Sequence, residues 1–173
     1  MRLNSAHGGR YLICSAVVVI LDQLTKYLVV HSVPAGGSGW QLLPFFSLVH
    51  VYNEGAAFSF LADRGGWQRY LFMATAVIIV AVLVWYLLRL SRSKFWTCLS
   101  VALVIGGALG NLIDRVVLGH VVDFLHFYLR GPDYYWSYPA FNVADIAVCT
   151  GAGLLVLQSL FERKSPEKAG QSS

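Results

Sequence analysis

From Tyr70 to Leu88 not one side chain carries a charge. As a helix rising 1.5 Å per residue, ~20 apolar residues cover the ~30 Å hydrocarbon core of a bilayer, and this run is of that order. Three further runs have comparable length: Tyr11 to Val30, Phe95 to Ile113, and Phe141 to Phe161. Four transmembrane helices are therefore expected, at 11–30, 70–88, 95–113 and 141–161. The loops between them include two long ones, 31–69 and 114–140. Composition agrees, since 57% of the 173 residues are hydrophobic and only 13% charged. With a mean hydropathy of +0.60, lipid rather than water must solvate much of this chain. The length allows one integral membrane domain, 1–173, and not two.

The formal net charge of +4 raises the question of nucleic acid. The basic residues gather at segment ends and build no basic-aromatic patch, so a nucleic-acid partner is not expected. Their placement sets orientation instead. Arg2 and Arg10 precede the first run, Arg89, Arg92 and Lys94 fill the short second loop, and Arg163, Lys164 and Lys168 follow the last run. The two long loops carry only Arg64, Arg69, Arg115 and Arg130. By the positive-inside rule both termini and the short loop are cytoplasmic, and the long loops face outward. Trp67 and Tyr70, Trp85 and Tyr86, Phe95 and Trp96, and the cluster Tyr134, Tyr135, Trp136 and Tyr138 fall at the expected interfaces. Arg2 and Arg10 before an apolar stretch also suggest a secretory signal. No A-x-A-like site follows and the run reaches full spanning length, so an uncleaved first helix is expected.

The outer loops carry structure of their own. After the turn-like Pro34-Ala35-Gly36-Gly37-Ser38-Gly39, the stretch Trp40 to Tyr52 is apolar and partly alternating. It predicts a strand with Leu48, His50 and Tyr52 on one face and Val49, Val51 and Asn53 on the other. Val121 to Arg130 is similar, and the two are expected to pair into a small sheet on the membrane surface.

Acidic residues near hydrocarbon are costly and point to function. Asp22 and Lys26, four apart on the first helix, can pair with each other and pack that helix against its neighbours; they can equally serve a site. Asp114 lies beside Arg115, where a local ion pair accounts for it. Asp123 sits in Val121-Val122-Asp123-Phe124-Leu125 with no adjacent cation, and Asp145 is expected about one turn inside the fourth helix. The third helix runs outward and the fourth inward, which brings both carboxyls to the outer interface. Two carboxylates a few ångströms apart in a weakly solvated place share one proton. One then acts as general base toward water while its protonated partner polarises a carbonyl. That is peptide hydrolysis needing neither metal nor covalent nucleophile.

Other chemistries find little support. The histidines His7, His31, His50, His120 and His126 match no ligand spacing, and no G-x-S-x-G elbow or phosphate-cradling glycine loop is present. No metal and no cofactor are expected. Cys14, Cys98 and Cys149 lie singly in apolar stretches and read as packing residues. Polar residues do converge near the two aspartates. Gly107, Asn111 and Arg115 repeat at i, i+4 and i+8 on one face of the third helix, while Gly106 and Gly110 form a G-x-x-x-G for close helix approach. Asn142 lies shortly before Asp145, on the same side of the fourth helix, and Asn53 sits in Tyr52-Asn53-Glu54-Gly55-Ala56-Ala57-Phe58.

Five ordered segments now carry a resemblance. They are Asp22-Gln23-Leu24-Thr25-Lys26, the Tyr52 to Phe58 stretch, Gly106 through Arg115, Gly119-His120-Val121-Val122-Asp123-Phe124, and Phe141-Asn142-Val143-Ala144-Asp145. In this order they resemble the lipoprotein signal peptidases (signal peptidase II) of bacteria over nearly the whole chain. The resemblance implies an inner-membrane aspartic endopeptidase, four helices with a small β-cradle on the periplasmic face, and Asp123 and Asp145 as its dyad. Asn53, Asn111, Arg115, Asn142 and Gly107 would line or brace the site, with Asp22 and Lys26 supporting it from the first helix. The substrate would be a prolipoprotein already carrying diacylglycerol, cut just before the lipidated cysteine, and globomycin would inhibit. A monomer in contact with membrane lipid is expected. Two rivals fit less well. A proton-coupled transporter would place carboxylates near the midplane, with repeats or broken helices. An assembly subunit would not need two isolated aspartates at one interface.

Overall fold

The computed structural model describes residues 8–36, 39–55 and 67–162. Expectations attached to Arg2, His7, Ser38, Ala56 to Phe58, Arg64 and the basic tail from Arg163 lie outside those residues. A single 3-10 turn, Gly8–Tyr11, leads into α1 (Leu12–Ser32). Next come β1 (Trp40–Leu43), β2 (Phe46–Asn53), α2 (Trp67–Arg89), α3 (Phe95–Val117), β3 (Val121–Arg130), β4 (Tyr135–Ser137) and α4 (Val143–Glu162). Among the described residues four helices are long and apolar enough to cross a membrane. Together with a small antiparallel sheet, they make the architecture expected from the apolar runs and the alternating loops.

α3 is the centre of the bundle and packs against each of the other three helices. It is the helix with close-approach glycines. A Cβ on Gly106 would come 2.8 Å from the Ser15 carbonyl oxygen of α1, and one on Gly107 would overlap the Ala144 carbonyl oxygen of α4. Gly110 faces α1 again, where a Cβ would stand 2.6 Å from Asp22 Oδ2. In lipid, where no hydrophobic force drives helices together, such backbone approach and interhelical hydrogen bonds supply the adhesion. Ser15 Oγ donates to the Ala102 carbonyl at 2.7 Å, and Thr97 Oγ1 donates to Gln158 Oε1 at 2.8 Å.

Two apolar clusters lie at opposite ends. Tyr11, Leu87, Leu90, Cys98, Val101, Ala102 and Ile105 close the end away from the sheet, where the N–H of Gly8 also reaches the Leu90 carbonyl at 2.9 Å. Val29, Val33 and Phe124, with Leu48, Leu125 and Val143 packed on them, join α1 to the sheet. Of the cysteines, Cys98 is buried in the first cluster and Cys149 is exposed on the outside of α4. Packing therefore accounts for the first, while Cys149 turns outward.

The sheet has the order β1-β2-β3-β4, antiparallel throughout. Pairing of the two loop segments is as expected, but two details differ. Trp40 to Tyr52 is not one strand, because Pro44 and Phe45 form a turn that folds β1 back on β2. The register then slips between Leu48, opposite Leu125, and Val51, opposite Asp123. One extra residue in β2 interrupts strict alternation, so Leu48, His50 and Tyr52 do not share a regular face. Val49 and His50 are both buried as a result.

Helix limits also shift. α3 runs past Ile113 to Val117, keeping Asp114 and Arg115 helical. Leu118 and Gly119 both return their N–H to the Asp114 carbonyl, and Gly119 takes φ 90°, a left-handed termination that aims the chain into β3. α4 starts at Val143, not Phe141. Phe141 instead bridges to Leu125 of β3, and Asn142 becomes the cap. Asp145 consequently lies in the first turn of α4, at its mouth and not a turn inside.

Candidate active site

The cap of α4 builds one half of the site. Asn142 Oδ1 accepts the N–H of Asp145 at 3.0 Å, while Asp145 Oδ2 accepts the N–H of Asn142 at 3.1 Å. This reciprocal pair is a capping box, with asparagine at the cap and aspartate at the third helical position. It places the Asp145 carboxylate at the positive end of the helix dipole. Its other oxygen, Oδ1, accepts Asn111 Nδ2 at 2.7 Å.

The second half comes from β3. Asp123 is 2% exposed. Its Oδ1 accepts Asn142 Nδ2 at 2.7 Å, and its Oδ2 accepts Asn53 Nδ2 at 2.9 Å from the neighbouring strand. Asn53 is aimed by its own turn, since its Oδ1 accepts the N–H of Gly55 at 2.9 Å. Asn142 thus contacts both aspartates, and a whole loop of sequence between them closes to hydrogen bonds through one residue. Burial, above all, pushes the Asp123 carboxyl from 3.8 up to about 6. The charge of Asp145 adds to the push, while the hydrogen bonds from Asn53 and Asn142 and the charge of Lys26 oppose it.

The amide orientations follow from partners that can only donate. Lys26 Nζ reaches Asn111 at 3.0 Å and has no lone pair, so the Asn111 oxygen faces it and the Asn111 amino group faces Asp145. Asn142 Nδ2 also donates to Asn111 Oδ1 at 3.1 Å, joining the two halves.

Lys26 and Asp22 do pair, at 2.8 Å, as their spacing allows. The partner expected for Asp114 is different. Among the described residues Asp114 pairs with Lys26 at 2.9 Å, not with Arg115. Adjacent helical side chains point about 100° apart, and those three or four apart face one another. Arg115 turns back so that Nη1 donates to the Asn111 carbonyl at 3.3 Å, and its Cζ lies 5.7 Å from the Phe72 ring centre. Gln23 was not singled out by sequence reasoning, yet its Nε2 donates to Asp114 Oδ1 at 2.8 Å and to Asp22 Oδ2 at 3.2 Å. The only hint was its position between Asp22 and Lys26.

Gly107 belongs here through packing, because its missing side chain lets α4 approach where Ala144 precedes Asp145. The His120 ring lies tilted against Tyr52 and the His126 ring tilted against Tyr128. Among the described residues no three His, Cys, Asp or Glu side chains are grouped to hold a metal. A cleft of about 600 Å³ lies over the sheet, with Gln41, Ser47, His126, Tyr128 and Arg130 in its lining and neither aspartate among them. Every oxygen of the two carboxylates is oriented by an amide or backbone donor.

Comparison with known proteins gives the family and the fold likeness. The family model for signal peptidase (SPase) II matches residues 14–161. A protein of Aeromonas hydrophila called lipoprotein signal peptidase is 45% identical, over 95% of this chain and 98% of its own length. One of the same name from Actinobacillus succinogenes is 49% identical over 96% of this chain and its full length, 100%. Two solved structures, described as bacterial membrane enzymes studied by the in meso method, superpose with TM-scores of 0.77 and 0.75 at 29% and 30% identity. The first covers 95% of both chains, and the second 91% of this chain and 95% of its own. With four membrane-length helices, a small antiparallel sheet and a family match spanning both aspartates, the chain belongs to the signal peptidase II family.

Proposed function

We propose that Asp123 and Asp145 are the catalytic dyad of an aspartic endopeptidase, and that the bond cut lies just before a diacylglyceryl-modified cysteine. As a member of its family the chain is a protease that removes signal peptides from prolipoproteins. The observation that carries the dyad is the Asn142 bridge, which ties the two carboxylates into one hydrogen-bonded unit. Asp123, pushed up to about 6, carries the shared proton, and Asp145 is the base. Asp145 takes a proton from water as the water oxygen attacks the scissile carbonyl carbon. Asp123 donates a hydrogen bond to the carbonyl oxygen. As the tetrahedral adduct collapses and its C–N bond breaks, Asp145 gives the proton it took from water to the departing nitrogen, and the cysteine becomes a new N-terminus.

The sheet and the dyad share one end of the bundle, and that end faces the periplasm in this reading. Arg10, Arg89, Arg92 and Lys94 gather at the opposite end, which supports cytoplasmic termini in an inner membrane. A membrane-level site suits a substrate whose acyl chains stay in the bilayer. Inhibition by globomycin is expected from the family resemblance, and action as a monomer is part of the same proposal.

Asp123→Asn and Asp145→Asn test the proposal in purified protein with a lipidated peptide. Each keeps shape and removes ionisation, and each is expected to lower kcat by at least ~1,000-fold. Near-normal cleavage by either folded variant would overturn the assignment.

A further inference from the structure

Beneath the dyad lies a second buried group, Asp22, Gln23 and Lys26 on α1 with Asp114 on α3. It makes no direct hydrogen bond to either dyad carboxylate among the described residues, yet it grips the chain one residue before each. Asp22 Oδ1 accepts the N–H of Ala144 at 2.9 Å, and Ala144 precedes Asp145. Asp114 Oδ2 accepts the N–H of Val122 at 3.1 Å, and Val122 precedes Asp123. We infer that Lys26 and Gln23, by tying Asp22 to Asp114, are positioning residues that set the spacing of the two dyad aspartates through their backbones. This inference rests on the dyad reading above.

The tie is double. Lys26 Nζ stands 2.8 Å from Asp22 Oδ2, 2.9 Å from Asp114 Oδ2 and 3.0 Å from Asn111 Oδ1. Three acceptors use the three ammonium hydrogens, so the lysine has one orientation and no slack. Gln23 repeats the bridge with one amide, to Asp22 and to Asp114, and adds the Gly110 carbonyl at 3.2 Å. Through Asn111 the lysine also reaches Asp145 by a second path. Asp22 is 0% exposed, Lys26 and Asp114 3% each. In a low dielectric these charged hydrogen bonds are stiff, and each carboxylate accepts a backbone N–H that would otherwise be a softer contact.

An ion pair that merely packed α1 against α3 would have no reason to end on the residues preceding both aspartates. The consequence is distance control. α4 and β3 are joined by a loop, by the Leu125–Phe141 bridge and by Asn142 between the two carboxyls, and the buried group adds a hold on the backbone beside each aspartate. Hydrolysis needs both carboxyls within reach of one water and one carbonyl, so a small drift is costly in rate while substrate binding is little affected.

The test compares the full chain and variants in detergent with a lipidated peptide, reading kcat and KM separately along with thermal unfolding. Lys26→Met is expected to lower kcat by ~100-fold, with KM changing by less than about twofold. Since that variant leaves two buried carboxylates without their cation, it can fail to fold. Gln23→Leu then decides the matter, because the side chain is half-buried and uncharged. A kcat lowered by about tenfold at unchanged KM is expected in protein that stays fully folded at the assay temperature, with the unfolding temperature lowered by the lost hydrogen bonds. Wild-type kcat in Gln23→Leu overturns the inference, as does a loss accounted for entirely by unfolded protein. Asp123→Asn and Asp145→Asn are run beside it. Activity in those two sinks the dyad reading itself, whereas their inactivity beside a fully active Gln23→Leu sinks only the tether.

Discussion

The amide nitrogen of Asn142 lies 2.7 Å from Asp123 Oδ1, while the backbone N–H of the same residue lies 3.1 Å from Asp145 Oδ2. One residue therefore caps a helix and couples two carboxyls, and the two tasks can be separated. Serine caps helices as well as asparagine does but is too short to reach Asp123. Asn142→Ser is expected to keep the helix cap and the fold, at a cost of about 1–3 kcal/mol for the buried acceptors its amide leaves behind. Its kcat should fall by roughly ten- to a hundredfold, the value of a hydrogen bond to a charged group. A folded Asn142→Ser enzyme with wild-type kcat would show that the bridge is dispensable.

Asp123 gives the pH dependence its sign. Its carboxyl is raised from 3.8 to about 6, so the folded protein binds that proton more tightly than the unfolded chain. The stability it contributes is full below about 3.8 and is lost as pH rises through about 6. For activity the singly protonated pair is the working state, and loss of the shared proton makes the alkaline limb. In the free enzyme that limb, read from kcat/KM, is expected from about 6 upward. Asn53→Ala removes a donor that favours the ionised form, so the limb should move to higher pH. A limb that stays in place or moves down would contradict the role given to Asn53.

Gly107 sets how near α4 can come to α3. Gly107→Ala would drive a Cβ into the Ala144 carbonyl, whereas Gly153→Ala meets nothing within 4 Å. The first should cost about 1–3 kcal/mol of stability and most of the activity, because the displaced turn of helix carries Asp145. The second should leave both unchanged. Thermal unfolding and cleavage measured side by side check this, and equal behaviour of the two variants would refute it.

The orientation rests on where cations collect. In intact cells a thiol reagent that cannot cross membranes should label Ser137→Cys, at the sheet end, and spare Ser93→Cys, in the turn between α2 and α3. Both positions are exposed, so access reports the side of the membrane. Labelling of Ser93→Cys from outside would invert the proposed topology.

No cofactor enters the proposed chemistry. Chelators and serine- or thiol-directed reagents should leave cleavage of a lipidated peptide unchanged in purified protein. A zinc requirement or inactivation by a serine reagent would replace the mechanism while leaving the fold untouched.

Much of the fold was legible in the order of residues alone. Apolar runs of membrane-spanning length can do little in lipid except form helices, because every backbone group must find a partner within its own segment. Alternation in Trp40 to Tyr52 and Val121 to Arg130 specified strands, and their isolation in costly surroundings marked Asp123 and Asp145. Those are local properties, and sequence states local properties directly. Contacts between segments were another matter. The bulge between Leu48 and Val51 depends on how β2 meets β3, and no residue in β2 announces it. Adjacency in sequence assigns Asp114 to Arg115, but helical geometry turns adjacent side chains apart. Its partner is Lys26, on a different helix, brought within 2.9 Å by the glycines of α3. Asn142 could be read as a polar residue near Asp145, yet its bridge to Asp123 exists only because Phe141 joins β3 and stops α4 from starting earlier. Residue order alone marks the segments long and apolar enough for lipid and the carboxyls isolated among apolar neighbours. Which donor meets which oxygen is settled by the packing of the segments, since it depends on fine distances between them that no local propensity encodes.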